Sequence, residues 1–167
     1  MKKYIAAIVM AIFSIMPLSL YADGGRRTVG LLGGYNGELE SGLAGVYFQY
    51  RCNNWLRLTP DVQMLFKKND RSAFHINGNA HFILPFGGKF KVYALGGITY
   101  QSWRYSNIQI TEDQRLQDVT SNRFGTNLGG GLEVRALQAL KLFAEAKYSF
   151  VKDYSSMGIS VGIGYVF

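Results

Sequence analysis

The chain has 167 residues and a net charge of +7, from 18 basic and 11 acidic side chains, which is the length of one ordinary domain. Apolar residues make up 48% of it and 20 glycines stand beside only 3 prolines, a balance that excludes a low-complexity disordered chain and a collagen-like one. A single cysteine, Cys52, excludes a disulfide framework within the chain.

The first 22 residues carry a basic start (Lys2, Lys3), an apolar run from Ile5 to Leu18 interrupted by Ser14 and Pro17, and then Leu20-Tyr21-Ala22 before Asp23. This pattern predicts a secretory signal peptide cleaved between Ala22 and Asp23. An N-terminal membrane anchor is the weaker reading, because the run is short and a small residue stands where the peptidase needs one. Cys52 lies far from the junction, which argues against a lipid-anchored form. Removing Lys2 and Lys3 leaves a mature domain, residues 23–167, with 16 basic and 11 acidic side chains. No later apolar run approaches the ~20 residues that a membrane helix requires.

The mature chain divides into eight segments of period-two alternation, the mark of strands with one apolar face. The first is Arg27 to Tyr35, with Val29, Leu31 and Tyr35 on one face. Gly42 to Arg51 follows (Ala44, Val46, Phe48, Tyr50), then Leu56 to Phe66 (Leu56, Leu58, Val62, Met64, Phe66). Pro60 on the apolar face of that third segment removes a ladder donor, so a local distortion is expected there. The fourth, Ala73 to Leu84, sets Phe74, Ile76, Ala80, Phe82 and Leu84 against His75, Asn77, Asn79 and His81. Four polar groups in a row suit the polar lumen of a membrane barrel and exclude a sandwich core.

The fifth segment, Lys89 to Trp103, shows Phe90, Val92, Ala94, Ile98 and Tyr100. The sixth, Asn122 to Arg135, sets Phe124, Leu128, Leu132 and Val134 against Asn127, Glu133 and Arg135. The seventh, Ala139 to Phe150, sets Leu140, Leu142, Ala144, Ala146, Tyr148 and Phe150 against Lys141, Glu145 and Lys147. The eighth, Met157 to Phe167, alternates Ile159, Val161, Ile163, Tyr165 and Phe167 with small residues. Exposed to water, such a face is an aggregation hazard and needs a core or lipid.

Links two, four and six are tight (Cys52 to Asn54, Pro85 to Gly88, Ala136 to Gln138), whereas the fifth spans Arg104 to Ser121. That fifth link is polar, with Glu112, Asp113, Gln114 and Arg115, and is expected to be an exposed loop. Short turns on one side and longer loops on the other, with an even strand count, match an up-and-down barrel. With strands run alternately up and down, Tyr50, Phe82, Phe86, Phe90, Tyr165 and Phe167 gather at one rim. Tyr35, Phe66, Phe74, Tyr100, Phe124, Tyr148 and Phe150 gather at the other, as the aromatic girdles of a membrane barrel do.

From Arg27 to Phe167 the chain resembles the eight-stranded outer-membrane β-barrel proteins of Gram-negative bacteria, the broad group often called the porin family. The segments nearest that pattern are Phe74 to Pro85, Lys91 to Tyr100 and the closing strand. The resemblance implies an all-β, eight-stranded antiparallel up-and-down transmembrane β-barrel with both ends in the periplasm. It further implies that Tyr165 and Phe167 form the signal read by the barrel-assembly machinery.

No catalytic, cofactor or metal site emerges. A lipid-modifying enzyme needs His, Ser and a carboxylate within hydrogen-bond reach. His75 and His81 lie six residues apart on one strand, roughly 20 Å, and cannot share a site. Neither is followed two positions later by Ser, so the deacylase-like pattern known in the resembled group is absent. Gly129-Gly130-Gly131 lacks the helix and the Lys-Ser/Thr of a phosphate loop. Basic residues are dispersed among acids, which sets nucleic acid aside.

The inward parity instead supplies Tyr47, Arg57, Asp61, Tyr93, Glu133, Phe143, Glu145 and Lys147, which in a barrel this narrow should fill the lumen. A polar network of Arg57, Asp61, Glu133, Lys141, Glu145 and Lys147 follows. If the sixth and seventh strands pair about Leu137, Glu133 lies opposite Lys141 and Phe143 opposite Gly131. The expected function is structural or a surface interaction through the loops, with an unidentified surface ligand. A small pore, a lipid-modifying enzyme and a soluble lipocalin-like barrel with its apolar face inward are the alternatives. Outer-membrane lipid and lipopolysaccharide are expected partners, with Lys67, Lys68, Arg71, Arg104 and Arg123 placed to meet lipid phosphates or to stay solvated.

Overall fold

The computed structural model describes residues 27–68, 71–85, 90–109 and 116–167. The signal-peptide junction at Ala22 and Asp23, the fourth link with Phe86, and the middle of the fifth link with Asp113 fall outside them. Eight strands run β1 (Arg27–Asn36), β2 (Ser41–Arg51), β3 (Leu56–Lys68), β4 (Arg71–Pro85), β5 (Phe90–Gln109), β6 (Leu116–Arg135), β7 (Leu140–Val151) and β8 (Ser156–Val166). Each pairs antiparallel with the next, and β1 pairs with β8, so the sheet closes on itself in sequence order.

The closing seam runs in one register from Thr28 opposite Val166 to Asn36 opposite Gly158. It is finished by two backbone bonds, Arg27 N–H to Phe167 O at 3.1 Å and Phe167 N–H to Arg27 O at 3.0 Å. We call this end the proximal rim. The opposite end, which carries the β1–β2, β3–β4, β5–β6 and β7–β8 connections, is the distal rim. Glu40 (φ 48°) and Asp153 (φ 68°) turn the chain at the distal rim in left-handed conformations. At the proximal rim the Asn53 side chain accepts the Trp55 and Leu56 amides at 3.0 and 2.8 Å, which makes the β2–β3 turn tight.

The pleat sorts side chains into two surfaces. Leu31 (62% exposed), Ile98 (68%) and Phe124 (80%) stand on the outside, together with Leu128, Leu132, Ile159, Val161 and Ile163. Arg57, Asp61, His75, Asn77, Asn79, His81 and Glu133 are buried inside. This arrangement overturns the lipocalin-like alternative, in which the apolar face points inward. A continuous apolar exterior around a polar interior is the inverse of a soluble barrel and fits hydrocarbon.

Three departures from expectation have physical causes. First, β5 and β6 continue as a paired ribbon into the segment expected to be a loop, as far as Gln109 opposite Leu116. Backbone pairing needs no apolar face, and the register shifts between Tyr105 and Ile108. Second, β6 and β7 pair with Arg135 opposite Lys141 and Glu133 opposite Phe143, so the register set about Leu137 is two residues out. Gly131 therefore faces Glu145, and the small residue opposite Phe143 is Gly162 on β8. Third, Pro60 interrupts only one ladder. The β2–β3 pairing stops at Tyr47 opposite Asp61 and resumes at Tyr50 opposite Leu58 in unchanged register, while the β3–β4 pairing runs through Pro60 opposite Gly78. Proline lacks the N–H that β2 would receive.

A side chain on Gly162 would collide with the Phe143 ring and press on the Leu31 carbonyl at 2.7 Å. Gly162→Leu is therefore expected to lower stability by about 1–3 kcal/mol, the usual cost of overpacking. Phe143→Ala in the same chain should recover part of that loss and not all, since the Leu31 carbonyl stays in the way. Urea unfolding in detergent micelles would show it; equal midpoints for Gly162→Leu and wild type would refute the contact.

Candidate functional site

Inside the wall, the alternate residues of seven strands (β1 to β7) meet in three layers. The proximal layer centres on Glu133. Its Oε2 accepts Arg57 Nη1 at 2.5 Å and Lys141 Nζ at 3.2 Å, and Lys141 also donates to Gln49 Oε1. The Arg57 guanidinium reaches His81 Nδ1 at 3.1 Å and lies over the Tyr93 ring, 5.1 Å from its centroid. His81 stacks on Tyr93 with centroids 4.5 Å apart, and the Tyr93 hydroxyl donates to Glu145 at 3.0 Å. Two cations share the Glu133 carboxylate, which is the arrangement a buried charge needs to remain ionised.

The middle layer is built on Asp61. One carboxylate oxygen accepts Gln63 at 2.7 Å and Asn77 at 2.6 Å, the other accepts Asn79 at 3.0 Å, and Lys147 Nζ stands 3.9 Å away. Asn127 reaches over Gly97 of β5 to the side-chain oxygens of Asn77 (3.1 Å) and Asn79 (3.0 Å) on β4 and accepts the Ser149 hydroxyl at 2.8 Å. Side-chain amides carry both a donor and an acceptor, so they can pass a hydrogen bond from one strand to the next.

The distal layer is apolar. Leu32, Leu39, Leu43, Leu65, Ala73 and Trp103 form one buried cluster with Tyr47, and Tyr154 stacks on Trp103 at 4.9 Å. Leu39 and Tyr154 come from turns, not strands. Asn36 accepts the Glu38 and Leu39 amides at 3.1 Å each and folds Leu39 inward. The Tyr105 hydroxyl donates to the Tyr154 hydroxyl at 2.9 Å, and Arg123 lies over the Tyr154 ring while approaching Asp153 at 3.9 Å. These contacts hold the two turns over the mouth.

The six charged residues read as a lumen network do converge. Arg57, Glu133 and Lys141 form one triad, Asp61 and Lys147 a second group, and Glu145 sits between them, with His81 Nε2 3.8 Å away. Glu133 and Lys141 touch diagonally, not as directly opposed residues. Sequence reasoning missed the distal closure, because Leu39 and Tyr154 read as turn residues. It also missed Trp55, which is exposed at the proximal rim and stacks on Phe82 with centroids 6.2 Å apart. Tyr165 and Phe167 stack at the same rim, also 6.2 Å apart. His81 lies in the proximal layer while His75 packs beside Trp103 at 5.8 Å, so the histidines occupy different layers. Of the cations read as lipid partners, Arg104 is exposed on outward parity, whereas Arg71 lies over the Tyr105 ring and Arg123 is engaged at Tyr154.

A closed antiparallel barrel of eight strands, apolar outside and polar inside, defines a transmembrane β-barrel. The chain belongs to the family described as outer membrane protein beta-barrel domain, which matches residues 5–167, and it is an outer-membrane protein. No curated protein matches it. Among solved structures it is similar to the N-terminal β-barrel domain of Pseudomonas aeruginosa OprF (14% identity, TM-score 0.69) and to Neisserial surface protein A (16%, 0.70). It is also similar to Ail, the attachment invasion locus protein of Yersinia pestis (16%, 0.62). Each match covers 87% of this chain and all of the other. At such identities the likeness is one of fold.

Because Glu133 serves two cations, Glu133→Gln strands both. Breaking a buried pair costs ~3–5 kcal/mol through the charge left behind. The triple variant Arg57→Met, Glu133→Gln, Lys141→Met removes the stranded charges and is expected to be less destabilised than Glu133→Gln alone. Thermal unfolding of the two proteins in the same detergent decides it, and a triple variant weaker than the single one would sink the triad account.

Proposed function

We propose that this protein is a non-enzymatic, non-conducting outer-membrane barrel that serves as a structural element or a surface for interaction through its distal loops. The observation that carries the reading is the closure of the lumen by Leu39, Trp103 and Tyr154 above two layers of interlocked polar side chains. A barrel of this strand number has an interior that side chains can fill. The cavity at the proximal mouth is about 10 Å³, room for about one water. Both histidines are buried in the lumen, away from the lipid face on which an acyl-chain enzyme would work. Two of the similar structures carry names that speak of the cell surface or of attachment, which supports a surface role for the distal rim.

In this reading the proximal rim faces the periplasm, and the assembly machinery engages Tyr165 and Phe167 there. Exposed Arg104, with Lys67 and Arg71 at the same rim, is placed to meet outer-leaflet lipopolysaccharide phosphates. A ligand for the loops is of unassigned chemistry.

Reconstituted in planar bilayers, the purified protein should show no stable open channel. A resolved, ion-selective conductance that changes when Arg57 or Glu145 is replaced would promote the small-pore alternative.

Topology is open to a thiol test, since Cys52 is free and exposed at the proximal rim and Lys152 is exposed at the distal one. On intact cells an impermeant maleimide should label a Cys52→Ser, Lys152→Cys protein and leave the wild type unlabelled. Deleting Phe167 should abolish that surface label while the chain is still exported. Labelling of wild-type Cys52 on unbroken cells would invert the proposed orientation.

A further inference from the structure

We propose that the proximal mouth of the lumen binds a small oxyanion, a phosphoryl or carboxylate group. Four cations line the cavity there, Arg51, Arg57, Arg135 and Lys141, around the single carboxylate of Glu133. Glu133 is already shared by Arg57 and Lys141. Among the described residues no carboxylate pairs with Arg51 or Arg135, and Asp61 and Glu145 are engaged deeper in the lumen.

The register sharpens the imbalance. Arg51 lies directly opposite Arg57, and Arg135 directly opposite Lys141. Like charges in opposed positions destabilise a sheet. A barrel that sets two such pairs side by side around one cavity gains stability by admitting a negative group between them.

A second observation is independent of net charge. Arg57 is 3% exposed, yet its Nε has no hydrogen-bond partner. A buried donor left without a partner is destabilising, and more so on a charged group. Guanidinium groups match the oxygens of phosphate and carboxylate with paired donors. The cavity is about 10 Å³, so one oxygen enters and the rest of the group stays in the open mouth, within reach of Arg51 and Arg135. Such a ligand arrives from the proximal side.

The test uses the full barrel folded in detergent or vesicles, with thermal unfolding followed at constant ionic strength. Inorganic phosphate or succinate, replacing chloride, should raise the wild-type midpoint in a saturable way. Arg51→Gln/Arg135→Gln should weaken the response at least fivefold, whereas Lys152→Gln at the distal rim should respond as wild type does. In chloride alone the double variant should unfold no earlier than wild type, because it has lost repulsion. A response to phosphate but not succinate assigns a phosphoryl ligand, and the reverse assigns a carboxylate. A shift seen only when phosphatidylglycerol replaces phosphatidylcholine in the vesicles assigns a lipid headgroup. Equal responses in the wild type and the double variant, no saturable shift in any arm, or a double variant that is less stable in chloride would overturn the site.

Discussion

The β1–β8 seam is the constraint on which the rest of the structure depends. In hydrocarbon a backbone N–H or C=O has no water to bond, so a sheet can cross only if its first and last strands pair. Here nine consecutive residue pairs do so without a register shift, from Thr28 and Val166 to Asn36 and Gly158. Closure then fixes the pleat, and the pleat fixes which residues meet lipid. Leu31, Val161 and Ile163 lie outside the seam while Leu32 lies inside it, although Leu31 and Leu32 are adjacent and chemically alike.

A lumen formed in this way is narrow, and the chain fills it with groups that must satisfy one another. The proximal and middle layers do so by different means. Glu133 balances two cations by charge, whereas Asp61 is held chiefly by three amide donors, with Lys147 at a distance. Amides carry no charge to strand when a neighbour is replaced. The price of the proximal arrangement is an excess of positive charge at the mouth. At the distal end Leu39 and Trp103 do the filling instead.

The alternation made the strands, their faces and the lumen residues legible, because period two survives any local uncertainty about ends. It could not make the register legible. A slip of two residues between β6 and β7 leaves every side chain on the same face, so the pattern is equally content with Glu133 opposite Lys141 or opposite Phe143. The turn from Ala136 to Ala139 decides, through the bonds that Leu137 and Leu140 exchange. The β5–β6 ribbon escaped for another reason. Beyond the apolar belt a strand need not alternate, and Arg104 to Gln109 carries no signal that separates it from a loop.

The same reasoning accounts for the two features of the lumen that no pattern announced. Leu39 and Tyr154 sit in turns, where a single apolar residue is ordinary, and only the fold shows both bent onto Trp103. Trp103 itself continues the inward parity of β5 past Tyr93, Leu95, Thr99 and Gln101, so its burial follows from the pleat, and the turns follow Trp103. The distal cap is thus a consequence of strand length. β5 is 20 residues long and β6 is 20, well beyond the ~9–11 needed to cross, and the surplus carries a large indole above the polar layers. Once there, an exposed Trp103 would leave an apolar face at the end of a polar tube, and the short turns beside it are the nearest chain able to cover it. The proximal mouth has no such surplus. Its strands end in tight turns with Arg51, Arg57, Arg135 and Lys141 at their tips, so that end of the lumen is rimmed by charge instead of an apolar cluster.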